Sequence, residues 1–276
     1  MNRWLDTPLT AALGCRYPIV QTAMGWVADA NLVIATTEAG GFGFLAGATI
    51  ASDQLEGEIR KVIAATGGSH FGLNFHMFQD NAAQCVDLAI QYRLRAVSYG
   101  RGPDKQTIAR FKAANVLCIP TVGALKHAIK AVELGADLIT IQGGEGGGHT
   151  GGVPSSILLP QVLAAVKVPV IAAGGFATGR GLASVLAAGG AGIAMGTRFL
   201  MTRESPTPAA TLERYLKVND PQQVRVTLAV DGMRHRMIEN RFINHLERAS
   251  ALGRLRIALG SAWSWKQQTG MSLGHM

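Results

Sequence analysis

Charged side chains are scarce in this sequence. They make up 16% of the 276 residues, whereas hydrophobic residues make up 48%. A disordered chain is rich in charge and poor in apolar residues, so this composition excludes extensive disorder. It predicts a globular protein that is long enough to bury a core without disulfides or structural metal ions.

Cysteine is also rare. The three cysteines, Cys15, Cys85 and Cys118, are odd in number, and their spacing matches no metal-binding motif. A disulfide framework is therefore excluded, and no metal site is predicted. We expect free, buried thiols in a protein from a reducing compartment.

Long apolar segments are missing as well. No uninterrupted apolar run approaches the ~18 residues that a membrane-spanning helix needs. Near the start of the chain, Asp6 and Pro8 stand where a signal peptide would need an apolar core. We therefore expect a cytoplasmic protein with no membrane partner.

Positive charge is concentrated towards the end of the chain. Between Arg203 and Lys266 there are 11 basic and 6 acidic residues, so this segment carries five of the eight net positive charges. It is either an anion-binding surface for nucleic acid or phosphate, or a solvated helical surface. The basic residues are scattered and no nucleic-acid-binding motif accompanies them, so we expect no nucleic-acid partner.

Glycine, by contrast, is abundant, with 34 residues in clusters that indicate tight turns. Eight short apolar segments alternate with seven helix-length segments, which is the count of an α/β fold of the (β/α)8 TIM-barrel type. An open doubly wound sheet is the alternative, but very short turns between many units favour closure. The predicted strands are 17–21, 42–45, 70–75, 95–98, 115–119, 137–141, 168–173 and 191–195, and the predicted helices are 29–39, 52–65, 79–92, 104–113, 123–134, 157–166 and 178–188. We expect a barrel domain over 1–205 and a helical extension over 206–276, which packs on the barrel or forms a partial lid.

Two glycine turns follow the last two predicted strands. They are "AAGGF" at 172–176 and "MGTRF" at 195–199. In this fold a phosphate group commonly binds after strands 7 and 8, and backbone N–H groups approach it closely only where no Cβ intervenes. Gly174, Gly175, Gly196 and Thr197 are therefore candidate phosphate-binding residues. The alternative is that these glycines serve only tight packing between helix and strand.

A third glycine cluster follows the sixth predicted strand, in "ITIQGGEGGGHTGG" at 139–152. The part "QGGEGGGHTG" closely resembles the Q-G-x-E-A-G-G-H-x-G signature of the nitronate monooxygenase family. The segments 17–47, 71–75 and 168–205 are similar to other parts of that family. The family also contains FMN-dependent enoyl-ACP reductases and NAD(P)H:quinone reductases. This resemblance implies non-covalent FMN at the mouth of the barrel over 1–205.

The resemblance also assigns roles to individual residues. His149 matches the family's active-site histidine, and a neutral imidazole can accept a proton near neutral pH. Glu145 either orients His149 or braces the loop, and we favour the brace. The implied cofactor-binding residues are Thr22, Ala23 and Met24 near the flavin ring, Asn74 and Gln142 at its polar edge, Gly147 and Gly148 in the loop, and Gly174, Gly175, Gly196 and Thr197 at the phosphate.

Other polar residues receive weaker assignments. His76 and Tyr99 are candidates for lining the substrate pocket, and Trp26 is either a core residue or a flavin contact. His235 and His245 are assigned to the basic segment near the end of the chain. One departure from the family signature is Gly146, which stands where the signature has alanine.

Three functions remain open at this stage. The preferred hypothesis is an FMN-dependent nitronate monooxygenase, which converts small-molecule alkyl nitronates to carbonyl compounds with O2. The alternative is an FMN-dependent reductase of an enoyl thioester or a quinone, with NAD(P)H as a transient reductant, because 21–28 looks more like the reductase members. The third is a non-catalytic flavin or phosphate binder. The apolar residues of the helical extension favour a homodimer.

Overall fold

Eight parallel strands form a closed barrel in the computed structural model, which describes residues 3–100, 102–250, 252, 253 and 257. The first and last barrel strands close it, because Val20 pairs with Phe42 on one side and with Ala194 on the other. The barrel prediction is confirmed, and the open sheet is excluded. The barrel strands are β1 (Ile19–Gln21), β2 (Phe42–Leu45), β3 (Gly72–Phe75), β4 (Ala96–Tyr99), β5 (Leu117–Val122) and β6 (Ile139–Gln142); after the short strand β7 (Gly148–His149), which lies outside the barrel, come β8 (Val170–Ala173) and β9 (Gly192–Met195).

Helices connect successive barrel strands, as the sequence predicts. Several predicted strands begin two residues too early, because the start of a strand depends on its pairing with a neighbour rather than on its own residues. The helices before and between the barrel strands are α1 (Pro8–Leu13), α2 (Ala30–Glu38), α3 (Ser52–Thr66), α4 (Ala82–Gln91), α5 (Lys105–Ala113), α6 (Leu125–Leu134), α7 (Ser155–Ala165) and α8 (Gly179–Ala187), with single-turn 3-10 helices at Arg3–Leu5 and Gly47–Thr49.

The N-terminal end of the barrel is closed by α1. Leu9 and Leu13 are fully buried and pack into a core cluster with Phe42 and Ile171. Arg95, just before β4, donates a hydrogen bond from Nε to the carbonyl of Ala12 at 2.7 Å and so holds α1 in place. In this fold, ligands bind at the opposite end, where the strands finish.

Several helices begin where a side chain caps the first turn. Asp29, Asp104 and Thr178 accept hydrogen bonds from backbone N–H groups at the starts of α2, α5 and α8. The predicted start at Thr178 is confirmed. Ser52 is the first residue of α3, at the predicted start of that helix.

After the barrel the chain is not continuously helical, so that part of the prediction is wrong for 224–238. These residues form an antiparallel hairpin, which extends into a three-stranded sheet with β7. The turn contains Gly232, whose φ of +82° favours glycine, and the pairing with β7 is a tertiary contact invisible in the local pattern. The remaining elements are α9 (Thr197–Leu200), α10 (Ala209–Leu216), a 3-10 turn at Pro221–Gln223, β10 (Val224–Thr227), β11 (His235–Ile238) and α11 (Arg241–Arg248).

Two further predictions are the helix beyond residue 250 and the domain boundary at residue 205. Most of the helix predicted beyond residue 250 lies outside the described residues, and the domain boundary at 205 stays a prediction. Within the described part of the chain, every helix is too short or too polar to cross a membrane.

Candidate functional site

The glycine-rich loop that follows β6 lies against the end of β8. A Cβ added to Gly174 would stand 3.0 Å from the backbone nitrogen of Gly146 and 3.1 Å from the carbonyl oxygen of Gly143. Gly174 and Gly175 have φ angles of +96° and +82°, which glycine adopts without strain. Two features of this junction therefore require glycine. A Cβ would contact the backbone of the loop, and the positive φ angles would strain any other residue.

The ends of β1 and β9 meet the same loop. A Cβ on Gly147 would be 3.7 Å from the hydroxyl of Thr197, and a Cβ on Gly196 would be 3.2 Å from that of Thr22 and 3.5 Å from Met24 Sδ. The structure thus brings the predicted residues of β1, the loop, β8 and β9 together. The result is a cradle of backbone and hydroxyl groups, which suits a phosphate and the edge of a flat ring.

The two amide side chains assigned to the flavin occupy different positions. Gln142 spans the base of the loop, because its Nε2 donates to the carbonyl of His149 at 2.8 Å. Asn74, on β3, donates to the carbonyl of Ser98 at 3.0 Å. Each amide keeps a carbonyl oxygen and a second N–H for a ligand. Ala23 is half-buried and packs against the barrel core.

Glu145 braces the loop, as the sequence analysis favours. One carboxylate oxygen accepts hydrogen bonds from the Ser155 backbone N–H and hydroxyl, each at 2.9 Å. Burial raises the pKa of Glu145, but the hydrogen bonds from Ser155 and the nearby charge of Arg236 outweigh it, so the pKa lies below its usual value. The carboxylate therefore stays charged and anchors the loop to the first residue of α7.

His149 is exposed and does not contact Glu145 in this arrangement. Its Nε2 lies 2.8 Å from an oxygen of Asp231, in the turn of the hairpin. The other oxygen of Asp231 lies 3.3 Å from Nδ1 of His235, and the two imidazole ring centres are 3.7 Å apart. Sequence reasoning missed Asp231 and assigned His235 only to the basic segment, because the link between the hairpin and His149 is a contact across 82 positions.

Backbone pairing fixes this cluster. His235 pairs with His149 and Arg236 with Gly148, while the N–H of Thr150 donates to the carbonyl of Arg234 at 2.9 Å. Arg236 also donates from Nε to the carbonyl of Gly144 at 3.0 Å. The basic hairpin therefore contains more than a solvated surface, since it forms one wall of the site.

The donor atoms of His149, Asp231 and His235 lie within 4.8 Å of one another, a spacing that a metal ion could also use. The two histidines and one carboxylate form a donor set typical of several divalent metals. The hydrogen bond between His149 and Asp231 accounts for the same proximity without a metal. The two explanations predict different behaviour, which can be measured.

The weaker candidates differ widely in their exposure. His76 stacks on the exposed ring of Phe78, with ring centres 5.2 Å apart. Trp26 is 82% exposed and has a φ of +60°, so it is not a core residue. Tyr99 is almost fully buried, and burial raises its pKa far above the usual value.

A cavity of about 440 Å³ opens beside the glycine-rich loop, between α5 and α6. Its wall includes Gly123, whose carbonyl oxygen would be 3.2 Å from a Cβ on Gly151. Tyr99 also borders it, together with apolar side chains and, at its polar side, His127 and Lys130.

The family profile that matches this chain is that of nitronate monooxygenase, over residues 6–87 and 78–258. Its members are generally flavin-dependent, and the glycine cradle fits such a cofactor. A probable nitronate monooxygenase from Staphylococcus aureus (strain Newman) is 30% identical over 289 residues, covering 88% of this chain and 81% of that protein.

Two other proteins are similar over most of the chain. The (3aS,4S,5R,7aS)-5-hydroxy-7a-methyl-1-oxo-octahydro-1H-indene-4-carboxyl-CoA dehydrogenase of Rhodococcus jostii (strain RHA1) is 46% identical over 267 residues, covering 97% of this chain and 75% of that protein. The structure of FabK from Thermotoga maritima superimposes with a TM-score of 0.85 at 30% identity, covering 93% of this chain and 83% of that one.

Proposed function

The chain belongs to the nitronate monooxygenase family and is an oxidoreductase, and from this premise we propose that it is an FMN-dependent dehydrogenase of a hydroxylated acyl-CoA thioester. This proposal replaces the preferred hypothesis of the sequence analysis, an alkyl-nitronate monooxygenase. It keeps the thioester substrate of the reductase alternative but reverses the direction of electron flow.

The observation that carries the proposal is the 46% identity to the Rhodococcus dehydrogenase over 97% of this chain, against 30% to the nitronate monooxygenase. Because 97% of this chain is matched, the unmatched residues are fewer than the residues of the hairpin at 224–238, so the match includes at least part of that hairpin. The name of that relative places a hydroxyl group on the carbon next to the one that carries the thioester. The corresponding substrate here is a β-hydroxyacyl thioester, and its product is a β-keto thioester.

The residues at the barrel mouth suit this reaction. His149 accepts the proton of the substrate hydroxyl, since it is exposed and its imidazole can act as a base near neutral pH. Gln142 holds the backbone of His149 in place through its hydrogen bond to the carbonyl. Gly174, Gly175, Gly196 and Thr197 would hold the flavin, which would supply the acceptor for the hydride from the carbinol carbon.

Charge and shape favour a CoA ester. The segment from Arg203 to Lys266 carries a net charge of +5, from 11 basic and 6 acidic residues, which attracts the phosphates of CoA. The cavity beside Gly123 offers room for an apolar acyl group. The exposed rings of Trp26 and Phe78 add apolar surface in the loops after β1 and β3.

The test is an anaerobic absorbance titration of the FMN-reconstituted protein with 2-hydroxycyclohexane-1-carboxyl-CoA. We expect loss of the oxidised flavin absorbance and formation of the β-keto thioester. The matched control is the same hydroxy acid without CoA, which we expect to be far less effective. If NADPH bleaches the flavin and the hydroxy thioester does not, the protein is a reductase and the proposal fails.

A second candidate function is nitronate oxidation, which the loop signature at 142–151 supports. In that reaction the anionic substrate needs no base, and His149 would stabilise negative charge instead. Propane-2-nitronate in a parallel cuvette distinguishes the two. Bleaching by the nitronate alone, with nitrite released after air is admitted, would favour the second candidate.

A further inference from the structure

The carboxylate of Asp231 lies between two imidazoles, and no motif in the sequence predicts a role for it. We infer that Asp231 is a positioning residue that fixes His149 in the tautomer protonated on Nε2, so that Nδ1 is the nitrogen that accepts the substrate's proton. The choice of Nδ1 as the reacting atom rests on the proposed function. The tautomer itself rests only on the contacts among the hairpin and loop residues.

The direction of the hydrogen bond follows from the charge of Asp231. The Asp231 side chain is 35% exposed and accepts a hydrogen bond from the N–H of Met233, and an aspartate in such a setting is ionised near neutral pH. An ionised carboxylate can only accept hydrogen bonds. Nε2 of His149, at 2.8 Å, must therefore carry the proton, and a neutral imidazole then keeps its lone pair on Nδ1.

His235 lies on the other side of the same carboxylate. Its side chain is 12% exposed, and its buried Nδ1 lies 3.3 Å from Oδ1 of Asp231 but makes no hydrogen bond within the described residues. Its ring lies against that of His149, with centres 3.7 Å apart. His235 thus restricts the tilt of the His149 ring.

The hairpin has its own anchors, so Asp231 does not depend on His149 for its position. Oδ1 of Asp231 accepts a hydrogen bond from the Met233 N–H at 2.9 Å, which shapes the turn. Arg225 of β10 forms ion pairs with Glu239 at 3.0 Å and with Glu247 of α11 at 2.5 Å. These contacts hold the Asp231 carboxylate in position without any contribution from His149, so it is preorganised to accept the hydrogen bond from the imidazole.

The tautomer can be measured directly. We would label the histidines with 15N, reconstitute the protein with FMN, and assign His149 by comparison with His149→Gln. The inference predicts a protonated Nε2 and an unprotonated Nδ1 at a pH where the ring is neutral. In Asp231→Asn, an amide can donate to Nε2 instead, so we expect the Nδ1-protonated tautomer to gain population.

Kinetics gives the second readout. Asp231→Asn should lower kcat for the hydroxy thioester by about 10²-fold, while the Kd for FMN and the unfolding midpoint stay near wild type. Asp220→Asn is the matched control, because Asp220 also accepts a hydrogen bond from the N–H two residues later, at 2.8 Å, but lies outside the cluster. It should leave kcat unchanged.

Two results would overturn the inference. One is a His149 that is protonated on Nδ1 in the wild-type protein, or whose tautomer does not respond to Asp231→Asn. The other is a stoichiometric metal ion in the purified protein that Asp231→Asn removes, because Asp231 would then be a ligand. Neither depends on the substrate, so they remain decisive even if the hydroxy thioester proves inactive.

Discussion

The hydroxyl oxygen of Ser155 lies 2.9 Å from the carboxylate of Glu145 and 2.9 Å from the carbonyl oxygen of Gly174. A hydroxyl has one proton, so it serves one acceptor at a time while the backbone N–H of Ser155 stays on Glu145. Through this one residue, the start of α7 holds both the glycine-rich loop and the end of β8. The relative position of the loop and the end of β8 therefore depends on the hydrogen bonds of Ser155.

Glu145→Gln should loosen the junction. The amide keeps one acceptor oxygen but loses the charge that interacts with the start of α7, so we expect a loss of about 1 kcal/mol in the free energy of unfolding. The pKa of Glu145 is lowered in the folded protein, so its contribution is present above the usual carboxyl value of 4.5 and is lost as pH falls through the folded pKa. Denaturant unfolding of both proteins at pH 7 and at pH 3.5 measures this.

Glu213→Gln is the control for that comparison. Glu213 is an exposed helical residue whose ion pair with Lys217 lies at 2.7 Å, and surface pairs of this kind contribute little. Its stability should stay close to wild type at both pH values. An equal loss for the two variants at pH 7, or a Glu145→Gln deficit that does not shrink at all between pH 7 and pH 3.5, would contradict the bracing role.

Gly146→Ala should displace Gln142. The added Cβ would stand 2.6 Å from Gln142 Nε2 and 2.9 Å from its Cγ, so the side chain must turn away from the carbonyl of His149. We expect kcat to fall roughly tenfold, because His149 loses its backbone restraint.

Gly57→Ala in α3 is the control, because nothing lies within 4 Å of the added methyl group. It should leave kcat unchanged and stabilise the protein by about 0.5–1 kcal/mol, since alanine is the better helix former. An unaltered kcat for Gly146→Ala would show that the bond between Gln142 and His149 is dispensable.

Gly174→Ala should abolish tight flavin binding. Gly174 and Gly189 have nearly the same φ, +96° and +94°, so alanine at either costs about 1 kcal/mol of backbone strain. Only at Gly174 does the methyl group also meet backbone atoms of the glycine-rich loop, at 3.0–3.2 Å, whereas at Gly189 it meets nothing within 4 Å. Quenching of FMN fluorescence should give a Kd raised more than tenfold for Gly174→Ala alone. Equal Kd values for FMN in the Gly174→Ala and Gly189→Ala proteins would show that Gly174 is not part of the flavin site.

The sequence predicts the barrel and the glycine cradle because their signals are local. Gly174 and Gly175 follow an apolar strand directly, and a turn with positive φ needs glycine wherever it occurs. The barrel strands are likewise recognisable in the sequence as short apolar runs between helical patterns. These features could be predicted without knowing what they contact.

The hairpin could not be predicted in this way. The residues of β11 alternate weakly, and their strand conformation depends on pairing with β10 and with Gly148 and His149. Asp231 followed by Gly232 is a turn signal, but nothing local says which histidine the carboxylate will reach. The partner of His149 is set by tertiary pairing, which is why the sequence gives the base and not its orientation.

The three cysteines should be unreactive in the folded protein. All three are free thiols, with Cys85 and Cys118 buried, as expected from the sequence, and Cys15 half-buried. Burial raises the pKa of Cys85 to about 12 and that of Cys118 to about 11. Burial also raises that of Cys15 to about 11, although a backbone hydrogen bond opposes it. The thiolate is the reactive form, so almost none is present at pH 8.

We therefore expect no rapid reaction with an aromatic disulfide reagent at pH 8, and three thiols per chain after unfolding in guanidinium chloride. Cys15→Ser should reduce the count in denaturant to two and leave the slow native rate set by Cys85 and Cys118. That slow rate should rise with denaturant in parallel with unfolding, because only the opened chain exposes these thiols. A fast native reaction that survives Cys15→Ser would mean that Cys85 or Cys118 is accessible, and that the core around β3, β4 and β5 opens far more readily than its packing implies.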